Sequence, residues 1–228
     1  MLYTEEAVRA GLRVRDGRRV FYLPEGSRLT PAARDWLRQE GVTVVPHAET
    51  PPAAYRTPDG AAFAEKPEHM THLRGNVLVP KTHPRIAFRG GIDTLEAELL
   101  LCAQAADGPL RRTLCAMLDF VRSLIRADVL DEPVQAVRFL GLDDDGLREH
   151  SHHPEREEGQ PHFLPAPDDP PILLRLNRLR TAVRQTELLA CHAFSRPDGT
   201  LARPDLIKAL NRLSSLCWIL MIREKKKA

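Results

Sequence analysis

An amphipathic helix is predicted by the sequence Leu110-Arg-Arg-Thr-Leu-Cys-Ala-Met-Leu-Asp-Phe-Val-Arg-Ser-Leu-Ile-Arg-Ala-Asp-Val-Leu130. Its apolar residues recur every three or four positions, the spacing that places side chains on one face of a helix. Asp131-Glu-Pro133 follows, and proline cannot continue a helix. A helix of this length needs neighbouring elements to cover its apolar face.

Three further segments have the spacing expected of such neighbours. Helices are predicted over 92–106, 172–194 and 204–223, with a shorter one over 143–149. Four to five helices with irregular connections indicate a mainly α fold, with the helical bundle as a domain over 71–228.

The start of the chain predicts a different architecture. Residues 1–46 read as a small α/β unit, in which Thr4 and Thr30 have the position of helix N-caps. Short strands are predicted near 19–23 and 42–45. The residues that follow, 47–70, are rich in proline and predict a linker.

The composition favours a reduced, cytoplasmic globular protein. With 228 residues, 43% of them hydrophobic, the chain can bury a core without disulfides. The four cysteines form no CxxC pair, and we expect Cys102, Cys115 and Cys217 to be small core residues. No apolar run approaches the roughly 20 residues that span a bilayer, so no membrane partner is expected. A net charge of +2 argues against a dedicated nucleic-acid binder.

One predicted helix carries a polar stripe. Asn177, Arg180, Arg184 and Glu187 are three, four and three positions apart, which places them on one face. Two guanidinium groups one turn apart can clamp an oligophosphate. The spacing alone fits a salt-bridged exposed stripe at least as well.

A second candidate for phosphate binding is the segment Thr71-His-Leu-Arg-Gly-Asn-Val-Leu-Val-Pro-Lys81. Backbone N–H groups around Gly75 and the ammonium of Lys81 suit a polyanion. These residue types are also ordinary in surface loops. The same ambiguity applies to Asn211-Arg-Leu-Ser-Ser215, which is either polar helix surface or part of a site.

Four histidines lie close together after the predicted short helix, at His150, His152, His153 and His162. Such a cluster invites a metal interpretation. Because proline, glutamate and glycine surround them and no cysteine is near, we favour a solvated, mobile loop.

Several motifs occur in a distinctive order along the chain. They are Leu29-Thr-Pro-Ala-Ala33, Thr71-His-Leu73, Val79-Pro-Lys-Thr-His-Pro-Arg-Ile86, Arg89-Gly-Gly-Ile-Asp93, Arg126-Ala-Asp-Val-Leu-Asp-Glu-Pro133, Leu179-Arg-Thr-Ala-Val-Arg-Gln-Thr-Glu187 and Leu210-Asn-Arg-Leu-Ser-Ser215. Together they resemble the ATP:cobalamin adenosyltransferases, most closely the ethanolamine-utilisation branch. Each motif is weak alone, and their order makes the resemblance specific.

The resemblance implies a five-helix bundle that forms a homo-oligomer, with a trimer as the expected form. It implies transfer of the 5′-deoxyadenosyl group from ATP, carried with Mg²⁺, to cob(I)alamin, with release of triphosphate. A cobalamin reductase and ethanolamine ammonia-lyase are the protein partners that it suggests, and a bacterial microcompartment is a suggested location within the cytoplasm.

The resemblance also implies residue roles. Arg180, Arg184 and Lys81 would stabilise the departing triphosphate, and Asp93 would pair with Arg180, across a subunit interface in one arrangement. Glu187 and Asn211 would hold Mg²⁺, ribose or the arginines. The expected phosphate contacts of the first segment are Thr71, Arg74, Gly75 and Asn76. Phe120 is the candidate for an apolar wall against the corrin ring.

The chain departs from this family at one point. Some members of the ethanolamine branch bind a transition metal through a histidine and a cysteine cluster that precede Thr71, whereas residues 47–70 contain no cysteine here. We therefore expect no metal ligands from the protein beyond a Glu187 contact to Mg²⁺. A non-catalytic carrier of adenosylcobalamin or nucleotide is the alternative function, and a basic helical nucleic-acid module is a third.

Overall fold

The computed structural model describes residues 1–15, 18–46 and 54–227. They fall into two compact units, residues 1–79 and residues 80–228. Small sheets are confined to the first unit, and the long helices form the second, so the fold is mainly helical. The domain boundaries predicted at 46/47 and 70/71 stay a prediction.

The first unit consists of short strands with two helices. Its elements are β1 (Leu2–Tyr3), α1 (Glu5–Ala10), β2 (Arg13–Arg15), β3 (Arg18–Leu23), β4 (Arg28–Leu29), α2 (Pro31–Gln39), β5 (Thr43–Pro46), β6 (Tyr55–Arg56), β7 (Ala62–Phe63), β8 (Met70–Arg74) and β9 (Val77–Pro80). The sheets have the strand orders β1-β4, β2-β3-β5 and β7-β6-β9-β8. Thr4 and Thr30 are N-caps as predicted, because each hydroxyl accepts a hydrogen bond from the backbone three residues on.

Part of the predicted linker takes part in a sheet. β6 pairs antiparallel with β7 and parallel with β9. Residues 47–53 of the predicted linker lie outside the described residues.

The second unit packs four long helices with two short ones. They are α3 (Pro84–Ala105), α4 (Gly108–Leu130), α5 (Asp144–His152), α6 (Pro154–Glu158), α7 (Pro171–Phe194) and α8 (Pro204–Lys225). Helix α3 contacts α4 and α7, and α8 contacts α7 and α5. The apolar stripe predicted for α4 is confirmed, with Leu114, Met117, Val121 and Leu124 fully buried. Among the described residues, no helix combines the length and hydropathy that crossing a membrane requires.

Helix α3 begins eight residues before the predicted start at Ile92. His83 caps it, since Nδ1 accepts from the Arg85 N–H at 3.1 Å, and Pro84 takes the first helical position. The glycine pair before Ile92 lies inside the helix, and Gly91 serves helix packing. A Cβ on Gly91 would lie 2.8 Å from Leu189 Cδ1, so glycine permits the close approach of α7.

The histidine-rich segment is more regular than the predicted loop. His150 and His152 lie in α5, and α6 follows directly. Glu158 at the end of α6 accepts two hydrogen bonds from Arg223, at 2.9 and 2.8 Å, and contacts His150 Nδ1 at 2.9 Å. These contacts connect α6 to both α5 and α8.

The cysteine prediction is correct for two residues and wrong for a third. Cys102 and Cys217 are buried, but Cys115 is exposed. One helical position after the buried Leu114 corresponds to a rotation of about 100°, which takes Cys115 off the buried face.

A buried carboxylate joins α3 to the end of α4. Asp128 is 1% exposed, and Oδ1 accepts from Arg85 Nε at 3.0 Å while Oδ2 accepts from Arg89 Nε at 2.8 Å. Beside it, Arg203 donates to the backbone oxygens of Ala127 and Glu132 at 2.9 and 2.8 Å. The start of α8 is thereby tied to the same end of α4.

We predict that Asp128→Ala lowers the free energy of unfolding by about 3–5 kcal/mol, because it leaves two partly buried guanidinium groups without their carboxylate. Glu132→Ala is the matched control: it removes an exposed ion pair with Arg126 and should cost less than about 1 kcal/mol. Urea denaturation followed by circular dichroism measures both. Equal losses of unfolding free energy in the two variants would show that Asp128 does not stabilise the packing of α3 against α4.

Candidate active site

A polar cleft of about 250 Å³ opens between α5, α7 and α8. Two of its residues, Arg180 and Arg184, belong to the polar stripe of α7, and Asn211 comes from α8. The remaining lining residues are Ser151, His152, His162, Ser214, Ser215 and Trp218. The cleft places the two arginines in a concave site, as the oligophosphate interpretation requires.

Arg180 is held at the cleft by an aromatic ring. Its guanidinium carbon lies 5.1 Å from the centroid of the Trp218 ring, a cation–π contact. Its Nε is buried and has no hydrogen-bond partner among the described residues. Burial, followed by the nearby charge of Arg184, lowers the pKa of Arg180, but an arginine remains protonated at neutral pH. A buried, unsatisfied cationic donor favours an incoming anion.

Three side chains form a hydrogen-bonded chain from α7 to α8. Asn211 Nδ2 donates to Glu187 Oε1 at 3.0 Å, and Asn211 Oδ1 accepts from Arg212 Nη1 at 2.7 Å. These bonds fix the orientation of the Asn211 amide. Arg212 is only 9% exposed. It belongs to the Asn211–Ser215 motif, which the sequence left open as polar helix surface or part of a site, and its burial is unusual for a charged residue.

The cleft also has contacts that the sequence patterns did not reveal. Ser151 Oγ donates to Ser215 Oγ at 3.0 Å, which joins α5 to α8. The rings of His162 and Phe163 stack on Trp218, with centroid distances of 5.7 and 5.0 Å. Both residues come from the segment between α6 and α7, so that segment borders the cleft.

Phe120, the predicted corrin contact, has a different environment. It packs edge to face on Phe139, with ring centroids 5.9 Å apart, and is not among the residues that line the arginine cleft. Its predicted role stays a prediction.

Asp93 and Lys81 are exposed on the second unit. Asp93 lies on α3, and within the described part of a single chain it forms no ion pair with Arg180. The predicted pairing of these two residues stays a prediction. Lys81 lies three residues before α3 begins.

Four predicted phosphate contacts belong to the first unit, on the hairpin of β8 and β9. Thr71 and Arg74 lie on β8, and Gly75 and Asn76 form the turn. Gly75 has a φ of +52°, the left-handed region that favours glycine, so the turn itself accounts for this residue. The predicted phosphate contacts of these four residues stay a prediction.

The two buried cysteines lack the properties of nucleophiles. Burial raises the pKa of Cys102 to about 11 and also raises that of Cys217, so both thiols are protonated at neutral pH. Within residues 1–15, 18–46 and 54–227, no three histidine, cysteine or acidic side chains converge in a way that could hold a metal ion.

A helical unit with an arginine-lined cleft is typical of a protein that binds an anionic substrate. The family model described as "Cobalamin adenosyltransferase" matches residues 62–224. The chain therefore belongs to the cobalamin adenosyltransferase family, as the order of its motifs suggested.

Individual relatives and solved structures agree with this assignment. The chain is 30% identical to the corrinoid adenosyltransferase EutT of Salmonella typhimurium, over 96% of this chain and 90% of that protein. It is 31% identical to EutT of Escherichia coli K12, with the same coverage. A variant of the PduO-type ATP:corrinoid adenosyltransferase from Lactobacillus reuteri, complexed with cobalamin and ATP, shares the fold. The TM-score is 0.54 at 16% identity, over 70% of this chain and 91% of that one.

We predict that the purified protein contains well under one equivalent of iron or zinc per chain, since a transition-metal site needs about three or four converging ligands. Elemental analysis measures this directly. Replacing His152 and His153 by alanine should leave the metal content unchanged. Stoichiometric iron or zinc, with activity lost on chelation and restored by that metal, would contradict the prediction.

Proposed function

We propose that this enzyme transfers the 5′-deoxyadenosyl group of ATP to cob(I)alamin and produces adenosylcobalamin and triphosphate. The observation that carries the proposal is the cleft in which Arg180 and Arg184 lie one helical turn apart. Its support from the comparisons is the similarity, over nearly the whole chain, to proteins named corrinoid adenosyltransferases.

In this reaction the protein itself forms no covalent bond with the substrates. A bond forms between cobalt and C5′ of ATP, the C5′–O bond breaks, and triphosphate leaves with the electron pair. Cobalt(I) is itself a strong nucleophile, so no serine, cysteine or general base is needed. The protein must align C5′ with cobalt and stabilise the charge that builds up on triphosphate. Arg180 and Arg184 suit the second task, and Lys81 is a further candidate.

Glu187 is the residue that suits Mg²⁺ carried by ATP. Its Oε1 accepts a hydrogen bond from the Asn211 amide, whereas Oε2 has no hydrogen-bond partner among the described residues. Carboxylate oxygens are preferred ligands of Mg²⁺. Bound there, the ion would supply positive charge to the triphosphate, and the Asn211 bond would hold the carboxylate in place.

The corrin would need an apolar surface beside the cleft. Phe163 stacks on Trp218, and the adjacent Leu164 is 90% exposed. A solvated leucine next to a stacked aromatic pair offers such a surface. We propose Phe163 and Leu164 as a second candidate for the corrin contact, beside Phe120.

The remaining expectations concern assembly and setting. We propose α5 as the fifth helix of the bundle, together with α3, α4, α7 and α8.

We also propose a homo-oligomer, with a trimer as the expected form, in which Asp93 of one copy pairs with Arg180 of another. A cobalamin reductase would supply cob(I)alamin, and ethanolamine ammonia-lyase would use the product, in the cytoplasm or in a microcompartment.

Arg184→Lys should lower turnover about 100-fold, because lysine keeps the charge but loses the two-pronged donor geometry that stabilises the triphosphate. The measurement is an anaerobic assay with ATP and chemically reduced cobalamin, in which the cob(I)alamin absorbance is followed and triphosphate is quantified. Arg175→Lys, at an exposed position of the same helix, is the matched control and should keep the activity of the parent.

Full turnover in a folded Arg184→Lys protein would remove Arg184 from the site. Binding of ATP and cobalamin by the parent protein without any triphosphate would contradict the catalytic proposal and support the carrier alternative.

Asp93→Ala and Arg180→Ala should show strong coupling in a double-mutant cycle. If the two residues pair at a partly buried interface, removing Asp93 leaves a guanidinium unpaired at a cost of roughly 3–5 kcal/mol, and assembly and activity should fall together. Sedimentation velocity and the adenosylation assay measure the two effects. Additive losses would mean that the residues do not touch.

A further inference from the structure

Trp218 lies at the meeting point of three groups that border the cleft. Its ring is contacted by the Arg180 guanidinium from α7 and by the stacked rings of His162 and Phe163. The indole is 9% exposed, so these contacts cover most of it. Its apolar neighbours on α8 are typical of a core residue.

We propose that Trp218 is a positioning residue for Arg180: its ring orients the guanidinium toward a polyphosphate without neutralising the charge. The proposal rests on the proposed function for the identity of the ligand, but the contact itself is independent of it.

Three other partly buried arginines show how a carboxylate partner differs from an aromatic ring. Arg85 and Arg89 are held by Asp128, and Arg203 is held by Asp205 through two hydrogen bonds of 2.9 and 2.8 Å. In each of these arginines a carboxylate consumes donors and cancels charge. Arg180, by contrast, donates no hydrogen bond to any described residue, and its Nε is buried. Apart from any donor that Asp93 of another copy would take up in the proposed pairing, its donors therefore remain available to a ligand.

The same ring also determines where the segment before α7 lies. Stacking of His162 and Phe163 on the indole brings that segment to the rim of the cleft that Arg180 lines. Loss of the ring should therefore change the orientation of Arg180 and the position of the segment at the rim. A phenylalanine at position 218 should preserve part of the cation–π contact and part of the stacking.

The first experiment measures binding of tripolyphosphate by isothermal titration calorimetry to the parent, Trp218→Phe and Trp218→Leu. We expect Trp218→Leu to weaken binding about tenfold and Trp218→Phe to weaken it less, the order of the cation–π strength of the rings. Trp36→Leu is the matched control, because Trp36 makes the same kind of contact, with Arg9 at 4.7 Å, in the first unit. It should bind as the parent does. Equal affinities of parent, Trp218→Phe and Trp218→Leu would overturn the proposal.

The second experiment needs no ligand and separates this proposal from the proposed function. In protein labelled with ¹⁵N-arginine, the Nε–H resonance of Arg180 is identified by its loss in Arg180→Lys. The ring current of Trp218 should displace this resonance, and the displacement should disappear in Trp218→Leu and persist in part in Trp218→Phe. An unchanged resonance would overturn the positioning role. A displaced resonance in a parent that binds no tripolyphosphate would support the positioning role and contradict the proposed function. If Trp218→Leu does not fold, as judged by circular dichroism, Trp218→Phe carries both measurements.

Discussion

The central position of α8 is the constraint on which the rest of the second unit depends. Every residue from Leu216 to Ile222 is buried, so this part of the helix is surrounded on all sides. Any polar side chain nearby must then find a partner or face a cleft, because an unpaired buried polar group is costly. Asn211 and Ser215 find partners in Glu187 and Ser151. Arg212 donates to Asn211 through Nη1, while its buried Nε has no partner among the described residues. The polar side chains of α8 lie on its least buried face, and they form part of the candidate site.

Charge complementarity within the chain explains much of the remaining architecture. The segment from α5 to the start of α7 is acidic, and α8 ends in a basic run. The structure pairs them: Glu158 binds Arg223, and Asp169 binds Lys225. These charges therefore hold the histidine-rich segment against α8 and account for the low net charge. Among the described residues, neither Arg180 nor Arg184 forms an ion pair with a carboxylate.

That distinction between paired and unpaired arginines matters for the proposed chemistry. Arginines with a carboxylate partner serve stability, as Asp128 and its two arginines do at the end of α4. An arginine that stabilises a leaving group must keep its charge and its donors until the substrate arrives. Within the described part of its own chain, Arg180 is held by an aromatic ring, which takes up none of its hydrogen-bond donors. Those donors can then be shared between the substrate and the Asp93 that is proposed to approach from another copy. The enzyme then aligns the reactants and stabilises the negative charge on the leaving group, while cobalt(I) is the nucleophile.

The sequence by itself determined that four long helices form, with caps at Thr4 and Thr30 in the first unit, and it determined the polar stripe of α7 and the family. These follow from local spacing and from motif order, which need no knowledge of packing. Only the tertiary structure decided that α3 begins at Pro84, that Cys115 is exposed and that Trp218 meets Arg180, His162 and Phe163. Periodicity indicates which face of a helix is apolar, but not which neighbour covers it. Contacts between residues that lie 38 or more positions apart, as Arg180 and Trp218 do, depend on how the helices pack.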